Sequence, residues 1–287
     1  MRASDFVAAY ARRGLPAWEA AAREMIKRGE AWLPPLVEVP VQTPDGLHAG
    51  SIFALGDYVA IGELGDYLRI PLTPQSAQWV ADRYGALLPT SRMVDQIARA
   101  ATVKLDPDEL DLPNRGEDLR QILEHSRLVD QAILAATGQP VPAQGLVAGQ
   151  KKDVVVSRIQ KPGKVVIYGW HRPSGSRVQP KSNIHSWGYL DYSHGVRLVA
   201  PNMVVDGRSA LVADVLGDPQ LAPMISNEGA FAAYPRYSLP PEPSGGGGTP
   251  TPPKPGAPAP PSQAPPSSAV TASRDHDPNW EILLTWT

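Results

Sequence analysis

Cysteine is absent from all 287 residues. Disulfide staples, thiolate metal centres, covalent haem attachment and cysteine nucleophiles are therefore excluded. An excess of one charge is lacking too: 27 Lys and Arg stand against 29 Asp and Glu, a net charge of −2, with no basic stripe or arginine-rich helix. No nucleic-acid partner is expected on that ground. No run of about 18 apolar residues occurs, so no membrane span is expected. The opening MRASDFVAAYARRG has no apolar core of about 7–15 residues with a small-residue cleavage site. The expectation is a soluble chain, cytoplasmic as written, whose release or export would need a non-Sec route or a signal already removed. Several motifs are missing as well: H-E-x-x-H, H-x-H, the G-x-S-x-G elbow, and the phosphate-loop and dinucleotide fingerprints.

What is present begins with helical spacing. Ser4 can cap a short helix that Gly14 stops, and residues 17–28 repeat apolar groups (Trp18, Ala21, Ala22, Met25, Ile26) at three and four. From Leu36 the period changes to two. Residues 36–41 and 47–55 flank Thr43-Pro44-Asp45-Gly46, which predicts a hairpin, and 57–61 and 67–70 read as further short strands. Thr73 and Pro74 start a helix over 75–83, and Thr90 or Ser91 starts another over 92–101; both read as scaffold. The spacing predicts the longest helix over 117–136, with His125 on its surface. Apolar runs at 154–156, 164–168 and 190–199 predict three strands, and 209–216 a short helix. The fold class expected is α+β: N-terminal helices (1–35) and β-hairpins packed with a C-terminal, mainly antiparallel sheet, the globular part spanning 36–238. Residues 239–274 are so rich in Pro, Gly and Ser that a disordered linker is expected. Apolar content returns at 275–287 with Trp280, Ile282, Leu283, Leu284 and Trp286, a docking peptide for a protein partner or a strand that returns to the domain.

The richest chemistry lies between Val165 and Val199. Three of the six histidines (His171, His185, His194) fall here with Asp191, two tryptophans and three tyrosines, although the chain is only 7% aromatic. Packing gives no reason to gather such groups between strands, whereas a site does. Three chemistries fit. His171, His185, Asp191 and His194 are N/O ligand types suited to Zn²⁺, provided that a bend at Tyr192-Ser193 brings Asp191 and His194 to one side. Ser182 or Ser193 could pair with His171 or His185, with Asp153 or Asp191 orienting the imidazole. Tyr168, Trp170, Trp187, Tyr189 and Tyr192 could form a stacking platform for a saccharide or cell-wall polymer, with Arg172, Arg177, Lys181 and Arg197 for anionic groups. Structural histidines bonded to main chain remain the bland alternative.

YGWH at 168–171, S-x-x-H at 182–185 and DYSHGVRLV at 191–199 resemble a group of bacterial proteins with a YGWH…DYSHG signature. LPTSRMVDQI (88–97) and AGQKKDVVV (148–156) extend that resemblance, which covers about residues 55–230 and implies a shared site but no particular reaction. A fainter similarity is to zinc D-alanyl-D-alanine peptidases, whose S-x-H-x-x-G-x-A-x-D motif holds the metal. Ser182-x-x-His185-x-x-Gly188-x-x-Asp191 departs from it by one residue at each end, and the later Glu-x-x-His is missing. That resemblance implies a zinc peptidase with His185 and Asp191 as ligands. The leading expectation is thus a hydrolase of a cell-envelope polymer, most plausibly peptidoglycan. His171, His185, Asp191, His194, Asp153 and Ser193 are its catalytic candidates, and Tyr168, Trp170, Arg172, Trp187, Tyr189 and Arg197 its substrate contacts. The alternative is a non-catalytic interaction protein or cargo of a phage-like particle that binds through the aromatic cluster and tail.

Overall fold

Apolar spacing turns into packed elements over most of the chain, in a computed structural model that describes residues 1–107, 118–139 and 145–240. In order these are α1 (Ala3–Tyr10), α2 (Leu15–Lys27), β1 (Ala31–Trp32), β2 (Leu36–Gln42), β3 (Ala49–Leu55), β4 (Ala60–Glu63), β5 (Asp66–Arg69), α3 (Pro74–Arg83) and α4 (Ser91–Ala100). There follow β6 (Val103–Lys104), α5 (Leu119–Thr137), β7 (Val147–Ala148), β8 (Lys152–Val154), β9 (Ile167–His171), β10 (Arg177–Ser182), β11 (His194–Gly195), β12 (Asn202–Val205), β13 (Arg208–Leu211) and α6 (Val212–Gly217). The class is α+β. Strand orders are β13-β12-β3-β2, β10-β9-β8-β11 and β1-β4-β5, with a small β6-β7 pair. All pairings are antiparallel except β8 with β11 and β6 with β7.

Two helix starts follow the sequence rule. The hydroxyl of Thr73 accepts from Ser76 N and that of Thr90 from Met93 N, each satisfying an orphan amide of the first turn. α4 then runs between sheets, Met93 and Ile97 in the core with β2 and β3, and Val94 with Val155, Val166 and Tyr168. Its polar side is thereby aimed along the end of β9, which places Asp95 there. The N-terminal helices are part of the main core: Phe6, Trp18 and Ile26 share it with Leu119, Val154 and Leu198, so residues 1–35 pack into the same interior as the later elements.

Several elements differ from the sequence reading. Residues 190–199 form only the two-residue β11, because the Asp191 carboxylate accepts from Ser193 N and Oγ and turns the chain before a strand can start. Residues 208–211 are strand and not helix: Asp206 and Gly207, at φ 49° and 76°, make the tight turn that sends the chain back beside β12. The polar strand β10 was not foreseen, since RVQPKS carries no apolar alternation. His125 is buried and not on the surface. It lies on the inner stripe of α5 with Ile122 and Val129, its ring 4.8 Å from that of Tyr192 and neither ring nitrogen partnered. The linker and the 275–287 docking peptide lie outside the described residues, apart from 239 and 240. No helix among the described residues is long and apolar enough to cross a membrane.

Polar groups also hold the interior. Arg69, fully buried, donates Nε and Nη2 to Asp57 at 2.9 and 2.7 Å and Nη1 to Asp130 at 2.7 Å, tying β5 to α5. Asp57 also accepts from Gln150 at 3.0 Å. Removing one partner of such a pair strands a buried charge. Arg69→Ala is therefore expected to cost about 3–5 kcal/mol in urea denaturation, and Arg69→Met combined with Asp57→Asn to recover part of that; a single-variant cost below about 1 kcal/mol would contradict the clamp. Burial holds the His125 imidazole well below its ordinary 6.5 and lowers that of His194 to about 4. The unfolded chain then takes up these protons first, so stability falls as pH drops below 6.5. Thermal melts across pH 7 to 4 should show that loss, and His125→Phe should flatten it; an unchanged slope would refute the assignment.

Candidate functional site

The site is built on a break in β9. Tyr168 and His171, three residues apart, would point to opposite faces of a regular strand. Gly169 at φ 102° and Trp170 at φ 54° put a left-handed step between them. Left-handed backbone costs a non-glycine residue about 1 kcal/mol or more, so its presence at a buried tryptophan is itself a pointer to function. Through this step Tyr168 and His171 converge on one oxygen of Asp95. The Tyr168 hydroxyl donates to Asp95 Oδ1 at 2.7 Å and His171 Nε2 at 2.9 Å, while Arg177 Nη1 lies 3.4 Å from the same oxygen and donates to the Tyr168 hydroxyl at 2.5 Å. The register β9–β10 sets Arg177 opposite His171.

Burial alone would raise the Asp95 carboxyl, but the His171 and Tyr168 hydrogen bonds outweigh it and hold the group below its usual range. An ionised Asp95 fixes the hydrogen of neutral His171 on Nε2, which leaves Nδ1 as the acceptor. That nitrogen has no hydrogen-bond partner among the described residues. A Cβ at position 169 would sit 3.3 Å from Nδ1 and 3.0 Å from Val94 Cγ1, so glycine there keeps the ring's edge clear. The dyad forms the wall of a cleft of about 400 Å³, which Arg99, Lys104, Arg172 and Ser174 also line.

Beside the cleft is a small polar recess whose wall includes His171, Tyr58, Lys151, Asp153 and Arg197. Asp153 Oδ2 accepts from Tyr58 at 2.8 Å, whereas Oδ1 accepts no hydrogen bond among the described residues and faces Arg197 Nε at 3.8 Å. Burial lifts its carboxyl to about 6, against the pull of Arg197. Burial, reinforced by Arg69, lowers the Lys151 ammonium to about 7, and among the described residues its Nζ donates only to Tyr192 O, at 2.5 Å. The backbone at Gly149 closes on this region so tightly that a Cβ would meet Leu105 O at 1.9 Å.

The other expected residues form a second group across the strand. Trp170 carries the Lys152 ammonium 5.3 Å above its ring, and Lys152 lies 3.4 Å from Asp191. Successive residues of β8 face opposite ways, so Trp170 lies on the Lys152 side and His171 on the Asp153 side. On the Lys152 side Tyr189 stacks on His185 at 4.0 Å and meets His194 edge-on at 5.8 Å. The three imidazoles thus do not share one cavity, and His171 does not join the expected metal set. Among the described residues no three His, Asp or Glu side chains gather as a metal ion requires. His185, Asp191 and His194 do not fit the zinc arrangement that the peptidase resemblance implied.

Three more expectations are corrected. Ser193 is buried and its hydroxyl is committed to Asp191 at 2.5 Å, so it is not placed as a nucleophile. Burial alone would raise Asp191, but His194, Lys152 and the Ser193 bonds hold it well below the usual range, which makes it a fixed anion and not a base. Arg197 is 1% exposed and donates to the Leu55 and Val147 carbonyls, both at 2.7 Å, so it clamps main chain and cannot reach a substrate. Arg172 lines the cleft, 3.6 Å from Asp106. Trp187 and Tyr189 are exposed, at 41% and 38%. The reading from sequence did not name Asp95, Arg99, Lys104 or Lys151 as candidates, although Asp95 and Lys151 lie in the 88–97 and 148–156 stretches of the resemblance.

No family model, no curated protein and no solved structure matches the chain. Gly169→Ala is expected to destabilise by about 1 kcal/mol or more in denaturant melts and to slow carbethoxylation of His171 by diethyl pyrocarbonate. Unchanged modification would show that the ring edge does not depend on that glycine.

Proposed function

We propose that His171 and Asp95 are the acid–base pair of a hydrolase acting at the cleft. The single observation that carries this reading is the 2.9 Å bond from Nε2 to Asp95 Oδ1 at the cleft wall, with Nδ1 left as acceptor. Nδ1 takes a proton from water as it attacks the scissile carbonyl carbon, Asp95 stabilises the imidazolium that forms, and Nδ1–H then returns the proton to the leaving group. Arg177, held by Tyr168, stands beside the dyad to offset charge that develops on the carbonyl oxygen. A cell-envelope polymer, with peptidoglycan foremost, is the substrate class to try first.

The exposed run of Ile184, Trp187 and Tyr189, at 75%, 41% and 38%, favours a second reading in which the chain binds without turnover. One experiment separates the two. Release of soluble fragments from purified peptidoglycan should occur with the native chain and fall by about 10²-fold or more in His171→Gln and Asp95→Asn. Ile184→Asp with Trp187→Ser should leave turnover intact. Fragment release by neither chain, with cosedimentation lost only in the loop variant, would replace the hydrolase by the binding reading.

A further inference from the structure

The cleft continues past His171 along α4. A second groove of about 390 Å³ is lined by Arg92, Gln96 and Arg99 on the helix side and by Pro40–Thr43 of the β2 rim on the other. Arg99 lines both spaces, so they meet at that residue. Positive charge is concentrated here, in a chain whose net charge is −2. Arg92, Arg99 and Lys104 have no carboxylate within ion-pair distance among the described residues. Arg92 donates to the Met224 and Gln42 carbonyls, both at 3.1 Å, and Lys104 to the Arg99 carbonyl at 3.1 Å, bonds that fix these groups without neutralising them. Among the described residues, Asp95, engaged by His171, and Asp106 beside Arg172 stand against them.

The walls say more about the occupant. Among the described residues no Phe, Tyr or Trp lines either space, so bases have nothing there to stack on. β2 is the outer strand of its sheet, and its rim offers main-chain groups to an extended chain. Arg92 and Arg99 are seven residues apart on one helix, about 10 Å at the α-helical rise, roughly the span of three extended residues.

We infer that the groove running from Arg177 past Arg99 to Arg92 binds an extended acidic peptide carrying at least two carboxylates. One carboxylate sits by Arg99, Lys104 and Arg177, and another about 10 Å away at Arg92. The inference rests on the cleft being the working site, and it specifies the substrate class there.

Fluorescence anisotropy of dye-labelled diglutamate and hexaglutamate on the full chain tests it. Hexaglutamate should bind about tenfold or more tightly than diglutamate, and added salt should weaken it. Arg99→Glu should weaken both probes about tenfold or more. Arg92→Gln should remove the advantage of length and leave diglutamate unchanged; Arg99→Gln with an unaltered melting curve guards against a folding defect. Length-independent binding, binding insensitive to Arg99, or equal affinity for an oligothymidylate would overturn the assignment. His171→Gln separates the two proposals. Hexaglutamate bound normally by that variant, with no turnover in the native chain, would sink only the hydrolase. Fragment release by the native chain without hexaglutamate binding would sink only the groove.

Discussion

The left-handed step at Gly169 and Trp170 is the constraint on which the site depends. A regular β9 would separate Tyr168 from His171 and leave Asp95 with at most one of them. The step gathers both onto one carboxylate oxygen and sends Trp170 to the far side over Lys152. Its backbone cost is met by contacts on both faces: Val94 and Asp95 of α4 on one, the Lys152–Asp191 pair on the other. α4 is therefore both scaffold and site. Its apolar stripe fixes it against two sheets, and its polar stripe carries Asp95 and, within a turn of it on either side, the arginines of the groove.

The segment from Gln150 to Asp153 shows what this arrangement costs in stability. Gln150 Oε1, Asp153 Oδ1, both nitrogens of His125, His194 Nε2 and Trp170 Nε1 are all buried without a hydrogen-bond partner among the described residues, and they cluster on or near this strand. Buried polar groups in folded proteins are nearly always paired, each exception costing about 1–3 kcal/mol. The buried arginines of the same interior are well satisfied, Arg69 and Arg197 each making several bonds. The unmet groups are split between the two sides of the strand: Asp153 Oδ1 faces the recess beside His171, whereas Trp170 Nε1 and His194 Nε2 lie on the Lys152 side.

The fold class was legible because hydrophobic period and turn chemistry agree over most elements, as in the β2–β3 hairpin at Thr43–Gly46 and the caps at Thr73 and Thr90. β10 and β13 were hidden, one by a polar strand with Pro180, the other because the helix spacing read over 209–216 runs together β13 and most of α6. For the site, Tyr168, His171, Arg172 and Arg177 stood out by type and density. The grouping did not, since sequence density cannot show that a strand inverts between Gly169 and Trp170. It therefore merged His171 with His185 and His194, which lie across the strand. Asp95 lay inside the 88–97 stretch that carried the resemblance, but no chemistry singled it out: an aspartate on the polar side of an amphipathic helix looks like any solvated residue until β9 is placed against it. Arg197 misled in the opposite way, a cation beside the histidines that is consumed by two carbonyls.

The central claim is that Asp95 holds His171 in one tautomer with Nδ1 as its acceptor. Long-range ¹H–¹⁵N correlation spectra of the imidazole, recorded on the native chain and on Asp95→Asn, measure this directly. The predicted result is a neutral ring protonated at Nε2, with a slowly exchanging proton that is lost in the variant. A ring protonated at Nδ1, or an Nε2 proton equally protected without the carboxylate, would contradict it.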